Sequence, residues 1–262
     1  MASTYLDAIG EAHRRRAASD LRQWRDRIVT PYEGPSFEAA LRTSPGDTVR
    51  VIAEIKRKSP SKGWLAQDVD AVALAKLYQA AGAAALSVLT DKEHFGARAD
   101  DFPTVAQAVT IPRLRKDFTV SENDVLDAVE WGASAVLLIA ALLDDDELVR
   151  YRTLAESVGL DALVEIHDAT EASRALASGA SIIGINQRNL HTFEVDPDHA
   201  ARVVATLPPS VVRVAESGLR SPEDVRRAGA DGFSAVLVGE TFVTSSDPSA
   251  TVRAFASVTI DG

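Results

Sequence analysis

The sequence predicts an α/β fold, a (β/α)8 TIM barrel with an N-terminal helical extension, on three observations. Helical stretches close four times on Gly-Ala, at Gly82-Ala83, Gly132-Ala133, Gly179-Ala180 and Gly229-Ala230, and an apolar run follows each. Eight short apolar runs can be placed in all, at 51–56, 85–89, 112–116, 135–139, 162–166, 182–185, 211–216 and 235–238. Helical patterns separate them at roughly 20–35 residues, the rhythm of strand and helix units closing into a barrel. Glycine ends a helix in a left-handed conformation at no steric cost. The runs suit strands buried on both faces. An open doubly wound sheet is the alternative; no G-x-G-x-x-G follows the first run, which weakens a dinucleotide-binding version of it.

Taken from the N-terminus, residues 1–47 read differently from the rest. Residues 5–29 carry a helical pattern, with Leu21, Trp24 and Ile28 at helical spacing. The run Arg14-Arg15-Arg16 raises targeting or nucleic-acid binding, but Asp7, Glu11, Asp20 and Asp26 interleave with it and no secretory apolar core is present. The reading is a solvated helix face. Pro31, Pro35, Pro45 and Gly46 then break the chain, so residues 1–47 are expected to form the extension and 48–262 the barrel. Within the barrel, Ser221-Pro222-Glu223-Asp224 marks a helix start by N-cap, first-turn proline and first-turn acids, and Asp168 with Glu171 resembles a capping box.

Charge and composition narrow the partners. The 262 residues hold 28 Lys and Arg against 38 Asp and Glu, a net charge of −10. That field repels nucleic acid and anionic membrane. No apolar run reaches the ~18 residues of a membrane span. The absence of cysteine excludes disulfides, thiolate nucleophiles and thiolate metal sites, and fits a cytoplasmic protein. A binder of anionic small molecules remains possible, with its basic groups concentrated in one cleft, and the chain is expected to be a monomer or weak homo-oligomer.

Polar residues stand at the C-terminal ends of the predicted strands, where a barrel carries its active site. These are Glu54-Ile55-Lys56, Arg115-Lys116-Asp117, Glu165-Ile166-His167, Asn186-Gln187-Arg188, Glu216-Ser217-Gly218 and Gly239-Glu240. Alternation puts Glu54 with Lys56, Glu165 with His167, and Asn186 with Arg188 on shared faces. One charged strand end is most often a surface salt bridge. A set running round the barrel brings ammonium and carboxylate groups into one low-dielectric mouth, which suits acid–base chemistry. Lys56 and Lys116 are candidate general acids, clamps or Schiff-base lysines; Glu54 and Glu165 are candidate bases or stabilisers of positive charge. Residue types alone leave these open. Gly218 and Gly239 after strands seven and eight, with Ser59-Pro60-Ser61-Lys62-Gly63 after strand one, point to a phosphate site. The histidines, His13, His94, His167, His191 and His199, form neither H-x-x-x-H nor H-E-x-x-H, so no metal site is expected.

The segment Val51-Ile52-Ala53-Glu54-Ile55-Lys56-Arg57-Lys58-Ser59-Pro60-Ser61 resembles the first-strand signature of the indole-3-glycerol-phosphate synthase family. Ser87-Val88-Leu89-Thr90-Asp91, Leu114-Arg115-Lys116-Asp117-Phe118, Leu163-Val164-Glu165-Ile166-His167, Gly184-Ile185-Asn186-Gln187-Arg188-Asn189-Leu190, Ala215-Glu216-Ser217-Gly218 and Val238-Gly239-Glu240 follow in the family's order. The resemblance implies a lyase of tryptophan biosynthesis that closes 1-(2-carboxyphenylamino)-1-deoxyribulose 5-phosphate to indole-3-glycerol phosphate with loss of CO2 and water, using no metal or organic cofactor. It implies Lys116 as the acid at the ribulose C2 carbonyl oxygen, Glu165 as the base of the later proton removal, and Lys56 as the group assisting hydroxyl departure. Glu54 and Asn186 would position and stabilise charge, and Arg188 and Glu216 complete the polar network. Ser59, Ser217, Gly218, Gly239 and the amide of Glu240 would hold the substrate at its phosphate end. Pro60, Phe95, Phe118 and Leu190 would wall the aromatic ring, and the extension would fold across the mouth. One departure is visible: the family usually has a residue and then Gly-Ser after the position of Phe95, whereas this chain reads Gly96-Ala97-Arg98. Other phosphosugar barrels remain as alternatives: a phosphoribosylanthranilate isomerase, which commonly uses a cysteine this chain lacks, a Schiff-base aldolase, or a silent barrel that binds phosphorylated ligands.

Overall fold

The computed structural model describes residues 5–188 and 194–260. Eight parallel strands, β1 (Arg50–Ile55), β2 (Ala85–Leu89), β3 (Arg113–Lys116), β4 (Ala135–Ile139), β5 (Asp161–Ile166), β6 (Ile182–Asn186), β7 (Val212–Glu216) and β8 (Ala235–Val238), form a closed barrel. Each pairs with its sequence neighbours, and β8 returns to β1, where Ile52 stands opposite Leu237 on one side and Ala85 on the other. The helices are α1 (Tyr5–Ala18), α2 (Phe37–Leu41), α3 (Ala71–Ala80), α4 (Lys92–Phe95), α5 (Asp101–Ala108), α6 (Glu122–Glu130), α7 (Asp145–Ser157), α8 (Ala169–Ala177), α9 (Pro197–Val204), α10 (Pro222–Ala230), α11 (Glu240–Val243) and α12 (Pro248–Ala256). The predicted fold class is the one observed. No described helix is long and apolar enough to cross a membrane.

Strand alternation decides which residues enter the barrel. On β1, Val51, Ala53 and Ile55 belong to the layer beneath the helices and Ile52 to the interior. On β5, Ala162, Val164 and Ile166 face out and Leu163 faces in. The same period of two turns Glu54 and Glu165 inward one step further along. Counting on from Leu114, Ile182 and Val214 turns Lys116, Asn186 and Glu216 inward as well. Apolar residues thus fill the interior at the strand starts and charged residues cap it at the strand ends.

Helix starts follow the polar signals. Ser221 caps α10 at the expected start, and with Asp224 it closes a capping box there. At α8 only half of the expected box forms. Asp168 accepts the Glu171 amide, but the Glu171 carboxylate reaches back to the His167 amide at 2.7 Å, one residue short of the cap. An unheralded box closes at Asp144 and Glu147.

The extension departs from its sequence reading in four ways. The helix expected over residues 5–29 stops at Ala18, because Asp20 accepts the Arg22 amide at 2.9 Å and holds its guanidinium, a side-chain turn that competes with the helix. Leu21 and Ile28 are 89% and 99% exposed, and of the apolar face expected of that stretch only Trp24 packs, partly buried, against the outer core. The arginine run is not a solvated face throughout. Arg14 binds Glu147 at 2.7 Å and the Leu142 carbonyl at 2.9 Å, and Arg16 binds Asp124 at 2.6 Å, fastening α1 to the barrel. Finally, the two helices of the extension occupy opposite ends. Tyr5, Leu6 and Ile9 of α1 lie at the mouth. Phe37 and Leu41 of α2 are fully buried among the strand-start residues Ala85, Leu114 and Ile182. The Ser36 hydroxyl and the Glu38 amide bind Asp161 at the start of β5, each at 2.9 Å. Segment 37–41 therefore plugs the bottom of the barrel, where two apolar side chains contribute about 1.5–3 kcal/mol each by burial.

Candidate active site

The ends of all eight strands line one cavity of about 230 Å³ at the barrel mouth, and five of them bring it a polar side chain: Glu54, Lys116, Glu165, Asn186 and Glu216. Lys116 is its centre. Its Nζ lies 2.9 Å from Glu165 Oε2 and 3.2 Å from Glu216 Oε2. Lys56 lies 2.7 Å from Glu54, both at the end of β1. Asn186 donates through Nδ2 to Glu165 at 3.2 Å, while its Oδ1 accepts from the Ser217 hydroxyl at 2.9 Å and from the Arg188 amide at 3.1 Å, which fixes the orientation of the amide. Room for the charged groups comes from missing side chains. A Cβ on Gly184 would stand 2.0 Å from Glu216 Oε1, and one on Gly239 would stand 2.3 Å from Glu54 Oε1.

The groups tune one another. Burial alone would lower the Lys116 ammonium, but Glu165, Glu216 and Glu54 reverse the sign and hold it above its ordinary value. Burial would raise Glu165; Lys116, His167 and Asn186 outweigh it and hold that carboxyl below the usual range. Glu216 goes the other way. Burial pushes it up, the shared Lys116 only partly counters this, and the neighbouring carboxylate of Glu165 adds to the rise. One lysine between two buried carboxyls thus keeps an ammonium, a carboxylate and a carboxylic acid side by side.

A second region of the cavity is built from backbone and basic side chains. Ser217 has φ +69° and is the one described non-glycine residue in the left-handed region; Gly218 follows with φ +76°. Gly239 precedes α11 without capping it by a side chain. From across the mouth come Ser59, Pro60, Ser61 and Lys62, whose ammonium pairs with Glu240. Ser59 Oγ accepts the Lys62 amide at 3.2 Å, which holds the turn closed. The remaining wall is apolar: Phe95 and Phe118 lie with ring centroids 6.3 Å apart, with Leu6 and Ile9 of α1 beside them.

Glu54, Lys56, Ser59, Pro60, Phe95, Lys116, Phe118, Glu165, Asn186, Arg188, Glu216, Ser217, Gly218, Gly239 and Glu240 all line this one cavity. Leu190 and His191 lie outside the described residues. His167, expected to share a face with Glu165, does not line the cavity, because the chain turns after Ile166 and Glu171 takes its ring at 3.2 Å. Sequence reasoning missed Leu6, Ile9, Leu137, Leu237 and Arg220. Leu137 and Leu237 carried a signal, the inward positions of the β4 and β8 alternation; the α1 residues carried none. At the departure Gly96-Ala97-Arg98, Gly96 ends α4 in a left-handed conformation. Asp101 accepts the Arg98 amide at 2.7 Å and pairs with the buried Arg57, tying this loop to the one after β1.

The comparisons with known proteins agree with this geometry. A sequence profile described as "Indole-3-glycerol phosphate synthase" matches residues 3–255. An indole-3-glycerol phosphate synthase of Parafrankia sp. (strain EAN1pec) is 50% identical over 214 residues, 82% of this chain and 80% of that one. One from Mycobacterium sp. (strain KMS) is 45% identical over 255 residues, 95% of this chain and 93% of that one. Among solved structures, an N-acetylmannosamine-6-phosphate 2-epimerase from Clostridium perfringens superposes with a TM-score of 0.61 at 13% identity, covering 82% of this chain and 93% of that one. A thiamine phosphate pyrophosphorylase from Pyrococcus furiosus gives a TM-score of 0.60 at 14% identity, covering 79% and 93%. These two share the fold alone.

Proposed function

The chain belongs to the indole-3-glycerol phosphate synthase family, and from that premise we propose how its barrel mouth closes an indole ring. The enzyme is a carboxy-lyase of tryptophan biosynthesis, converting 1-(2-carboxyphenylamino)-1-deoxyribulose 5-phosphate to indole-3-glycerol phosphate, CO2 and water. The substrate's phosphate sits against the Ser217-Gly218 turn and the amides at Gly239 and Glu240, with Ser59 opposite. Its arrival competes with Glu240 for Lys62. The carboxyphenyl ring lies between Phe95, Phe118 and Pro60.

In the first step the ring carbon bearing the carboxylate attacks C2 of the ribulose, and Lys116 gives a proton to the carbonyl oxygen. An ammonium held above its ordinary pKa stays charged until alkoxide character develops beside it, which is where an acid of that strength acts. Loss of CO2 from the same ring carbon restores aromaticity, and the apolar wall favours it because the departing carboxylate's charge is dispersed there. In the last step Lys56, held by Glu54, protonates the hydroxyl on C2 as it leaves. Glu165 takes the proton from C1, which leaves the indole double bond. Asn186 holds Glu165 in place, and the neutral form of Glu216 avoids a second negative charge beside the one that does the work.

The observation that carries this reading is Lys116 set 2.9 Å from Glu165 inside a cavity that also contains the left-handed Ser217-Gly218 turn. Cytoplasmic location is part of the same proposal, supported by a chain without cysteine. So is a monomer or weak homo-oligomer. The test is to incubate purified protein with the carboxyphenylamino-deoxyribulose phosphate and follow indole fluorescence. Well-folded protein that binds a product analogue calorimetrically and yields no fluorescence would show a binding protein and not a synthase.

A further inference from the structure

Behind the Phe118 wall, outside the cavity, α1 meets the start of α4 through three side chains that ring closure does not use. His13 Nε2 lies 2.8 Å from Asp91 Oδ2, and His94 Nδ1 lies 3.1 Å from the same oxygen. The three donor atoms fall within 4.8 Å of one another. Helix capping accounts for only half of Asp91, whose Oδ1 accepts the His94 amide at 2.6 Å. Oδ2 faces two imidazoles, and His94 Nδ1 lies 3.2 Å from Oδ1 as well.

The far side of His13 sharpens the question. Its Nδ1 is buried without a hydrogen-bond partner, 3.9 Å from Asp117 Oδ1. Asp117 is itself fixed, with Oδ2 held by Arg115 at 2.8 Å and by Thr90 at 2.6 Å, and Oδ1 by the Phe118 amide at 2.8 Å. A neutral imidazole carries one N–H. If Nε2 donates to Asp91, Nδ1 turns a bare lone pair toward a carboxylate. If Nδ1 carries the hydrogen toward Asp117, two acceptors face each other at 2.8 Å. A cation between Nε2 and Oδ2 removes both conflicts.

We propose that His13 Nε2, Asp91 Oδ2 and His94 Nδ1 form a binding site for a divalent transition-metal ion such as zinc, which fastens α1 to the β2–α4 loop. Zinc bonds of about 2.0–2.1 Å in a tetrahedron place donor atoms about 3.3 Å apart. The two separations from Asp91 Oδ2, 2.8 and 3.1 Å, need to open by a few tenths of an ångström, and the two imidazole nitrogens, within 4.8 Å of each other, close toward the same spacing. Two imidazoles and one carboxylate suit zinc, cobalt or nickel over magnesium or calcium. With Nε2 on the metal, His13 directs Nδ1–H at Asp117, the carboxylate–histidine–metal relay that orients ligating imidazoles. His94, the least buried of the three, leaves the fourth position to water from the solvent side. Because Tyr5, Leu6 and Ile9 of the same helix line the cavity, the ion would act on the site by holding α1, without touching substrate.

The test uses the full chain, treated with chelator and titrated with cobalt(II). The expected result is one equivalent bound with the intense visible absorption of four-coordinate cobalt, displaced by zinc, with zinc raising the thermal midpoint. His94→Ala lies in a one-turn helix and should keep the fold by circular dichroism while abolishing both signals; His13→Ala should do the same. Asp117→Asn should weaken cobalt binding roughly tenfold, as expected on loss of a ligand's outer partner. No cobalt band from the wild-type chain, or a band that survives His94→Ala, overturns the proposal and leaves a proton as the cation between His13 and Asp91.

Discussion

At the scale of single residues, the mouth turns on one cation serving two carboxyls. Lys116 is the proposed acid for the first bond-forming step, so Lys116→Ala should lower kcat by about 10²–10⁴-fold while KM changes little, measured by steady-state indole fluorescence. An unchanged kcat would remove Lys116 from the chemistry. Glu216 makes a separate prediction. Its carboxyl is raised in the folded chain, so the native state holds a proton that the unfolded chain has already released. The contribution is present below the ordinary carboxylate pKa and is lost as pH rises through the raised value. Glu216→Gln mimics the protonated form at every pH. The variant's thermal midpoint should therefore gain on wild type steadily from about pH 5 to about pH 8, with the two converging at the acid end. A gap that shrinks with rising pH would mean that Glu216 is ionised in the native state. These residues were legible in the sequence because each stands at an inward position of a strand end. His167 marks where the rule stops: the strand ends at Ile166, and beyond it the His167 ring turns to Glu171 at 3.2 Å.

At the scale of elements, the strands could be read and the extension could not. A strand buried on both faces leaves an apolar run that alternation sorts without tertiary knowledge. The extension offered Leu21 and Ile28 at helical spacing, yet both are exposed, and its buried apolar pair, Phe37 and Leu41, sits in a five-residue helix bracketed by prolines. Nothing local distinguishes a short plug from a loop; what fixes it is the shape of the barrel bottom. Phe37→Ala should cost about 3–5 kcal/mol of stability, seen as a lower midpoint in denaturant melts. Activity per folded molecule at low temperature should hold, because α2 lies at the end opposite the chemistry. A large fall in kcat at full folding would show that the plug positions the mouth. The His13, Asp91 and His94 cluster escaped the sequence for a similar reason: 78 positions separate His13 from Asp91, and only the fold of α1 over the rim closes that gap.

At the scale of the whole molecule, the two ends of the barrel divide the work. The strand starts carry packing, where substitutions are expected to change stability. The strand ends carry charge in a cavity that glycines keep open, where substitutions are expected to change rate. The vessel is single-ended, because apolar side chains fill the interior at the strand starts and Phe37 and Leu41 pack beneath them, so carbon dioxide, water and the finished glycerol phosphate have no exit below. All three leave by the same mouth that the reactant enters, part of whose rim is Tyr5, Leu6 and Ile9. If α1 has to shift for that traffic, thickening the solvent with sucrose or glycerol should slow kcat in proportion wherever egress sets the pace. A kcat indifferent to viscosity would put the slow event back among the bonds.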